Sequence, residues 1–316
     1  MTRVLITRPM PSAVIRAAQA EFEVEIRDSN TPLSASELRA ALREFDGVMP
    51  TLGDQFSAAV FGDVPKPRAR VLANFGVGFN HIDVSAAAAA GVTVTNTPGV
   101  VTDATADIAL TLMLMSARRA GEGERLVRRG AWSGWHPTQM LGLHLTGKTV
   151  GIVGMGRIGQ AIAKRCAQGF GMSVLFYNRS KKQIENAVQV DDLGALAQAV
   201  DILVVAVPGG NETHHLIDAA ILGQMQRHAH LINISRGDVV DEAALITALI
   251  TNQIAGAGLD VYEHEPEVPK ALRELECVSL LPHLGTAAKE VRIAMGQMAL
   301  ENMRAVLAER PPPNPV

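Results

Sequence analysis

Residues 148–166 read KTVGIVGMGRIGQAIAKRC, with Gly154, Gly156 and Gly159 in G-x-G-x-x-G spacing. The spacing alone is weak. Here an apolar, β-rich run from Thr149 to Val153 precedes it, and Ile158, Ile162 and Cys166 follow at i, i+4 and i+8, one face of a helix. A strand entering a helix through such a turn is the context in which the pattern binds a dinucleotide. Gly154 permits the tight turn, Gly156 lets a pyrophosphate approach the backbone, and Gly159 lets helix and strand pack closely. The exposed N–H groups and the helix dipole then favour phosphate. A purely structural glycine turn would require neither the spacing nor the flanking elements.

Downstream, SVLFY, DILVVAVP, HLINIS, IAGAGLDV and CVSLLPH are short apolar runs separated by helical stretches. Their near-continuous apolar character suits strands covered on both faces. Upstream, RVLIT, SAVIRAAQA, FEVEI, SASELRAALREF, DGVMP, RVLANFG, AAAAAG (stopped by Gly91) and VTVTN alternate in the same way. Alternation of this kind indicates parallel sheets with crossover helices. A chain of 316 residues is also long for one core. The expectation is α/β: two Rossmann-like or flavodoxin-like doubly wound parallel-sheet domains. Residues 1–98 with 285–316 would form a substrate domain and 99–284 a dinucleotide domain, with the active site in the interdomain cleft.

Between the two series lies a helix pattern from Thr102 to Arg119, with Asp103 and Asp107 toward its start and Arg118 and Arg119 at its end. Its IALTLMLMSA stretch is apolar nearly all round, which fits either core or a subunit interface. The tail RPPPNPV is too proline-rich to continue a helix and is expected to be extended.

Composition removes several classes. A net charge of −3 offers no general attraction to nucleic acid or an anionic membrane. The two cysteines, Cys166 and Cys277, lack C-x-x-C or His/Cys ligand spacing, which argues against zinc and against a disulfide framework. No metal is expected. The apolar stretch Val4 to Ile6 is too short for a signal sequence and no segment resembles a membrane span, so a cytoplasmic location is expected.

After the second strand of the nucleotide series comes YNRSKKQ, where Asn178 follows Gly159 by 19 positions. About 20 residues on, such sites place an acid on the ribose 2′-hydroxyl. Asn178 is not an acid, and Arg179, Ser180, Lys181 and Lys182 follow it. Ser180 and Gln183 form S-x-x-Q, a capping-box signature that predicts a new helix with solvated lysines. Lys181 and Lys182 would then lie in its first turn, where the dipole disfavours cations. A 2′-phosphate held by Arg179, Ser180 and that helix start would remove the conflict, which points to NADP(H).

Three stretches lie at or beyond predicted strand ends: NISRGDVVDEAAL, AGLDVYEHEP and LLPHLGTAA. They supply Arg236, Asp260 with Glu265, and His283. A carbonyl reduction needs a cation for the substrate carboxylate, suited to Arg236. It also needs an acid for the developing alkoxide, suited to His283. Glu265 would hold the ring and favour its protonated form. Taken singly, each has a plainer reading: surface ion pair, loop charge, satisfied core histidine.

Together, NTPGVVTDATADIAL, GKTVGIVGMGRIGQAIA, LINISRGDVVDEAAL, GAGLDVYEHEP and LPHLGTA occur in the order and spacing of one family. Over nearly its whole length the chain resembles the D-isomer-specific 2-hydroxyacid dehydrogenases, most of all their glyoxylate/hydroxypyruvate reductases. The resemblance implies that Arg236 orients substrate carboxylate and carbonyl, and that Glu265 supports His283 as proton donor. Asp260 would hold the nicotinamide carboxamide. Backbone N–H groups of Val77 and Gly78, in FGVGFNHID, would bind the substrate carboxylate. Arg157 and Ile158 would lie along the pyrophosphate, Thr213 near the adenosine, and Pro208, Ile234 and Gly285 elsewhere along the cofactor. It further implies a homodimer, and a substrate contact from the partner subunit through Trp135 of GAWSGWHP, for which interface core is an equal alternative.

The chain departs from commoner family patterns in VPGGNET, where Gly209 and Gly210 would widen the adenosine side, and in GFNH, where Asn80 and His81 have no assigned role. Phosphoglycerate-type and formate dehydrogenases are enzyme alternatives. Formate dehydrogenases pair the histidine with glutamine, against Glu265 here, and no regulatory domain is expected after the last helix pattern. A nucleotide-sensing binding protein is the non-enzymatic alternative, disfavoured by the complete Arg236, Glu265 and His283 set.

Overall fold

The computed structural model describes residues 2–316. The chain forms two compact units, one running to Val101 and resumed at Ala287–Val316, the other Thr102–Thr286.

The first unit is a five-stranded parallel sheet of β1 (Arg3–Ile6), β2 (Glu23–Ile26), β3 (Gly47–Met49), β4 (Val71–Ala73) and β5 (Thr93–Thr95), in the order β2-β1-β3-β4-β5. This is the flavodoxin-like order, with its reversal between β1 and β3. Central strands such as β3 and β4 are buried throughout because helices cover both faces. One face packs on Leu38, Leu42, Phe56 and Phe61. The other is closed by Val14 together with Ala299, Leu300 and Met303 of the last helix, Lys289–Leu307. The tail is extended and paired: Pro315 bridges Thr95, and the Val316 N–H donates to Val94 O.

At the ends of β1 and β3 the unit buries an ion pair. Arg8 Nη1 lies 3.0 Å from Asp54 Oδ1, and Asp54 also accepts the Thr7 hydroxyl and the Leu33 and Thr51 N–H groups. With every oxygen engaged, a fully buried carboxylate stays tolerable.

The second unit is a seven-stranded parallel sheet: β6 (Thr149–Val153), β7 (Ser173–Tyr177), β8 (Val188–Gln189), β9 (Ile202–Val205), β10 (His230–Asn233), β11 (Gly256–Leu259) and β12 (Val278–Leu280). Their order is β12-β11-β10-β9-β6-β7-β8. The connections therefore turn in opposite directions from the β6–β9 boundary, where such sheets bind ligands. Separate apolar clusters fill the two faces. The helix Thr102–Ala117 packs against β10, β11 and β12 with Ala106, Ala109, Leu112 and Met113 in the core, while Leu114 stays exposed. It ends at Ala117, because Arg119 takes a left-handed φ of 52° and pairs with Glu122 as a new helix, Ala120–Arg128, starts. Among the described residues no helix is long and apolar enough to cross a membrane.

Candidate active site

The glycine turn has the three roles its spacing demands. Gly154 sits at φ +98°, and a Cβ there would lie 2.7 Å from Ala206 O. A Cβ on Gly159 would lie 2.2 Å from Gly154 O, so any side chain would push the helix Arg157–Phe170 off β6. At Gly156 a Cβ would enter open space, with nothing within 4 Å. That space lies at the N-terminus of a 14-residue helix whose first turn has no side-chain cap and no acid. These residues fit a pyrophosphate. Arg157 is exposed at the first helical position, with Ile158 half-buried behind it.

Asn178 ends β7 and is fully engaged. Its Oδ1 accepts the Met155 N–H at 3.1 Å, and its Nδ2 donates to Ser180 O at 2.9 Å and Ser180 Oγ at 3.0 Å. The helix predicted from Ser180 and Gln183 does not form. Gln189 of β8 takes the backbone instead: its Oε1 accepts the Lys182 N–H at 2.9 Å and its Nε2 donates to Asn178 O at 3.0 Å. Ile184 and Ala187 then bridge across a turn with Asn186 at φ 59°. Arg179, Ser180 and Lys181 are exposed on this turn, Arg179 paired with Glu212 and Lys181 with Asp191. Exposed pairs of this kind are worth about 0–1 kcal/mol, so an incoming phosphate can displace the carboxylates.

Arg236, Glu265 and His283 come together because β10, β11 and β12 are neighbours in register, with Asn233 beside Leu259 and Leu259 beside Leu280. The three side chains lie just past those paired positions. His283 Nδ1 lies 2.9 Å from Glu265 Oε2, and the other Glu265 oxygen accepts the Tyr262 N–H at 3.1 Å. Burial pushes the Glu265 carboxyl up, but its bond to His283, the Tyr262 N–H and the nearby Arg236 charge outweigh this and hold it below its ordinary value. With Nδ1 committed, His283 presents Nε2, which has no hydrogen-bond partner among the described residues.

His283 has a φ of 54°, a conformation that needs support in a non-glycine residue. Asp260 gives it. The Asp260 carbonyl accepts the His283 N–H at 3.0 Å, and its carboxylate oxygens accept the N–H groups of Leu284 at 2.6 Å and Gly285 at 2.8 Å. Burial nevertheless raises the Asp260 pKa. Asp260, assigned by resemblance to the nicotinamide carboxamide, thus also holds the histidine loop.

Arg236 caps a short 3-10 turn, Gly237–Val239, and its Nη1 donates to Ser235 O at 2.7 Å. Burial pushes its pKa down, offset in part by Glu265 and Asp238; an arginine stays charged regardless. Two glycines not read as catalytic supports set its place. A Cβ on Gly237 would lie 1.8 Å from the Tyr262 carbonyl carbon, so only glycine lets the turn rest on the Glu265 loop. A Cβ on Gly209 would lie 2.6 Å from Arg236 Cγ. Gly209 therefore makes room for the arginine stem. Asn233 locks the same turn by donating to Arg236 O at 2.9 Å.

Of the other expected cofactor residues, Ile234 is buried in the core and Thr213 closes its own loop by donating to Pro208 O at 2.7 Å. Trp135 is 79% exposed in an irregular segment. In the first unit, Val77 and Gly78 lie half-buried just after β4.

The chain matches the family model "D-isomer specific 2-hydroxyacid dehydrogenase, NAD binding domain" over residues 110–285. It is 42% identical to glyoxylate reductase of Pyrococcus horikoshii over 318 residues, covering 98% of this chain and 94% of that one. Its structure is similar to that of a Thermus thermophilus protein, with TM-score 0.92, 41% identity and 100% of both chains covered. It is also similar to an NADPH-dependent glyoxylate/hydroxypyruvate reductase from Sinorhizobium meliloti solved with NADP and malonate, with TM-score 0.89, 37% identity, and 100% and 96% covered. The chain belongs to the D-isomer-specific 2-hydroxyacid dehydrogenase family, oxidoreductases acting on the CH–OH group of 2-hydroxy acids.

Proposed function

We propose that the chain reduces small 2-oxo acids, glyoxylate to glycolate and hydroxypyruvate to D-glycerate, with NADPH as reductant and His283 as proton donor. The observation that carries this reading is the Glu265–His283 pair at 2.9 Å, which commits Nδ1 and leaves Nε2 for chemistry. When bound, NADPH supplies the hydride. Protonated His283 donates from Nε2 to the substrate oxygen as negative charge develops there, while the Glu265 carboxylate stabilises the imidazolium beforehand. Arg236 neutralises and orients the substrate carboxylate with its fork of donors. The reading also gives the backbone N–H groups of Val77 and Gly78 the task of binding a substrate carboxylate. Preference for NADPH over NADH is supported by exposed Arg179, Ser180 and Lys181 after β7 and by Asn178 in place of an acid that would repel a 2′-phosphate.

The reading includes a homodimer. Val127, Trp132, Trp135 and Leu141 are 60, 53, 79 and 68% exposed within one short segment, an apolar display suited to a second copy of the chain. Trp135 would then reach the partner's substrate. The reading also includes a cytoplasmic location, in keeping with the free thiols of Cys166 and Cys277.

Initial rates with glyoxylate, hydroxypyruvate, pyruvate and phenylpyruvate, each with NADPH and NADH, test the proposal. The highest kcat/KM is expected for glyoxylate or hydroxypyruvate with NADPH. A clear preference for NADH would overturn the cofactor assignment, and no oxidation with any oxo acid would overturn the whole reading.

A further inference from the structure

The loop after β4 has every carbonyl from Gly76 to Gly78 tied down. Gly76 O accepts Asn74 Nδ2 at 3.1 Å and the Thr97 N–H at 3.0 Å. Val77 O accepts Asn96 Nδ2 at 2.9 Å, and Gly78 O accepts Asn74 Nδ2 again at 3.0 Å. Asn74 is buried, and its remaining Oδ1 lies 3.1 Å from His81 Nε2, which fixes the face its amide presents.

A trans peptide points its N–H opposite its own carbonyl. With the carbonyls of residues 76, 77 and 78 pinned, the N–H groups of Val77, Gly78 and Phe79 must all face away from the asparagines. None of these three N–H groups has an acceptor among the described residues. Successive outward N–H groups form an anion-binding concavity. The loop itself is only partly buried and Phe79 is exposed, so a ligand can reach it.

We propose that Asn74 and Asn96 are positioning residues: they clamp the carbonyls of Gly76–Gly78 and so aim three backbone N–H groups at the carboxylate of the oxo acid. This rests on the functional reading above and adds the side chains that build its carboxylate site. Neither asparagine touches the substrate. Their amides act by donating, so an isosteric acid cannot replace them: in Asn74→Asp the new carboxylate would face two carbonyls with no proton to give.

The test compares wild type with Asn74→Asp, Asn74→Ala and Asn96→Ala, with thermal melting as the check on folding. The readouts are KM and kcat for glyoxylate, the Kd of NADPH, and the Kd of oxamate titrated into the NADPH-loaded protein. KM and oxamate Kd are expected to rise about tenfold or more, since hydrogen bonds to charged groups are worth about 1.5–3 kcal/mol. NADPH affinity should stay within about twofold, and Asn74→Asp should be at least as impaired as Asn74→Ala. A purely packing role for Asn74 predicts instead that the isosteric Asp variant behaves as wild type, and that result would overturn the proposal. So would equal losses of oxamate and NADPH binding. If either Asn74 variant fails to fold, Asn96→Ala decides alone, through the single Val77 clamp. A wild-type protein that turns over no oxo acid defeats the functional reading, whereas normal turnover with unmoved oxamate binding in the variants defeats only the clamp.

Discussion

Asn74 and Asn178 each follow a parallel strand and each shape a loop with all of their amide valences, yet they do opposite things. Asn74 donates to two carbonyls and thereby turns N–H groups outward. Asn178 accepts an N–H, that of Met155, and braces Ser180, leaving side chains of Arg179 and Lys181 as the exposed charge. One asparagine builds a neutral cradle of backbone donors, suited to a small carboxylate. The other supports a cationic side-chain rim, suited to a doubly charged phosphate. An amide serves in both places because it donates and accepts without adding charge of its own.

The sharpest break in this contrast lies at neither asparagine. His283→Ala should lower kcat by about 10²–10⁴-fold, the range of general acid catalysis, while NADPH affinity holds. A near-normal kcat would mean that both loops serve some other chemistry.

A buried polar contact at the other end of β10 from Arg236 provides the baseline. His230 lies in β10 with its Nδ1 2.8 Å from Ser116 Oγ. Burial, aided by the nearby His228 charge, lowers its pKa to about 4. The unfolded chain takes up this proton near pH 6.5, so between about pH 6.5 and 4 the unfolded state binds more protons than the folded one. The stability this neutral histidine provides is complete above about pH 6.5 and is lost as pH falls toward 4, by about 3 kcal/mol in full. Urea unfolding at about pH 7.5 and 4.5 should show a smaller drop for His230→Gln than for wild type. Equal drops would place the acid sensitivity elsewhere.

The smallest expected effect tests Asn178 directly. Asn178→Asp removes the donor to Ser180 and, on the proposed reading, would set a charge against the 2′-phosphate, so kcat/KM for NADPH should fall about tenfold or somewhat more. The KM for glyoxylate should not move. If it does, the two loops are not separate devices.

The two asparagines also show where reading a sequence stops. Position 178 is marked by its distance from the glycine turn, because strand–helix–strand geometry fixes that spacing. The local S-x-x-Q pattern nevertheless suggests a helix that Gln189, in the next strand, prevents by binding the same backbone groups. A capping signature is local and its competitor is not. Asn74 carries no signal at all, since its meaning depends on Asn96 and Thr97, which only sheet pairing brings near. The glycines divide in the same way. Gly154, Gly156 and Gly159 are legible because turn and helix lie within one contiguous stretch. Gly209 and Gly237 are not, because the groups they accommodate, Arg236 and Tyr262, come from other strands. Arg236, Glu265 and His283 are marked as candidates by their place past predicted strand ends, and family likeness gives them joint roles; the register of β10, β11 and β12 supplies the physical cause of their grouping.

The last helix has a consequence for synthesis. Ala299, Leu300 and Met303 belong to the core that includes Val4, Ile6 and Val71. A ribosome must therefore translate all of Thr102–Thr286 before the first sheet can close one face. Until then β1, β3 and β4 have only the helix carrying Val14 and Ala18 over that face, and by its end the nucleotide unit has its whole sequence. The nascent chain thus has all of its middle before it has the last piece of its first core.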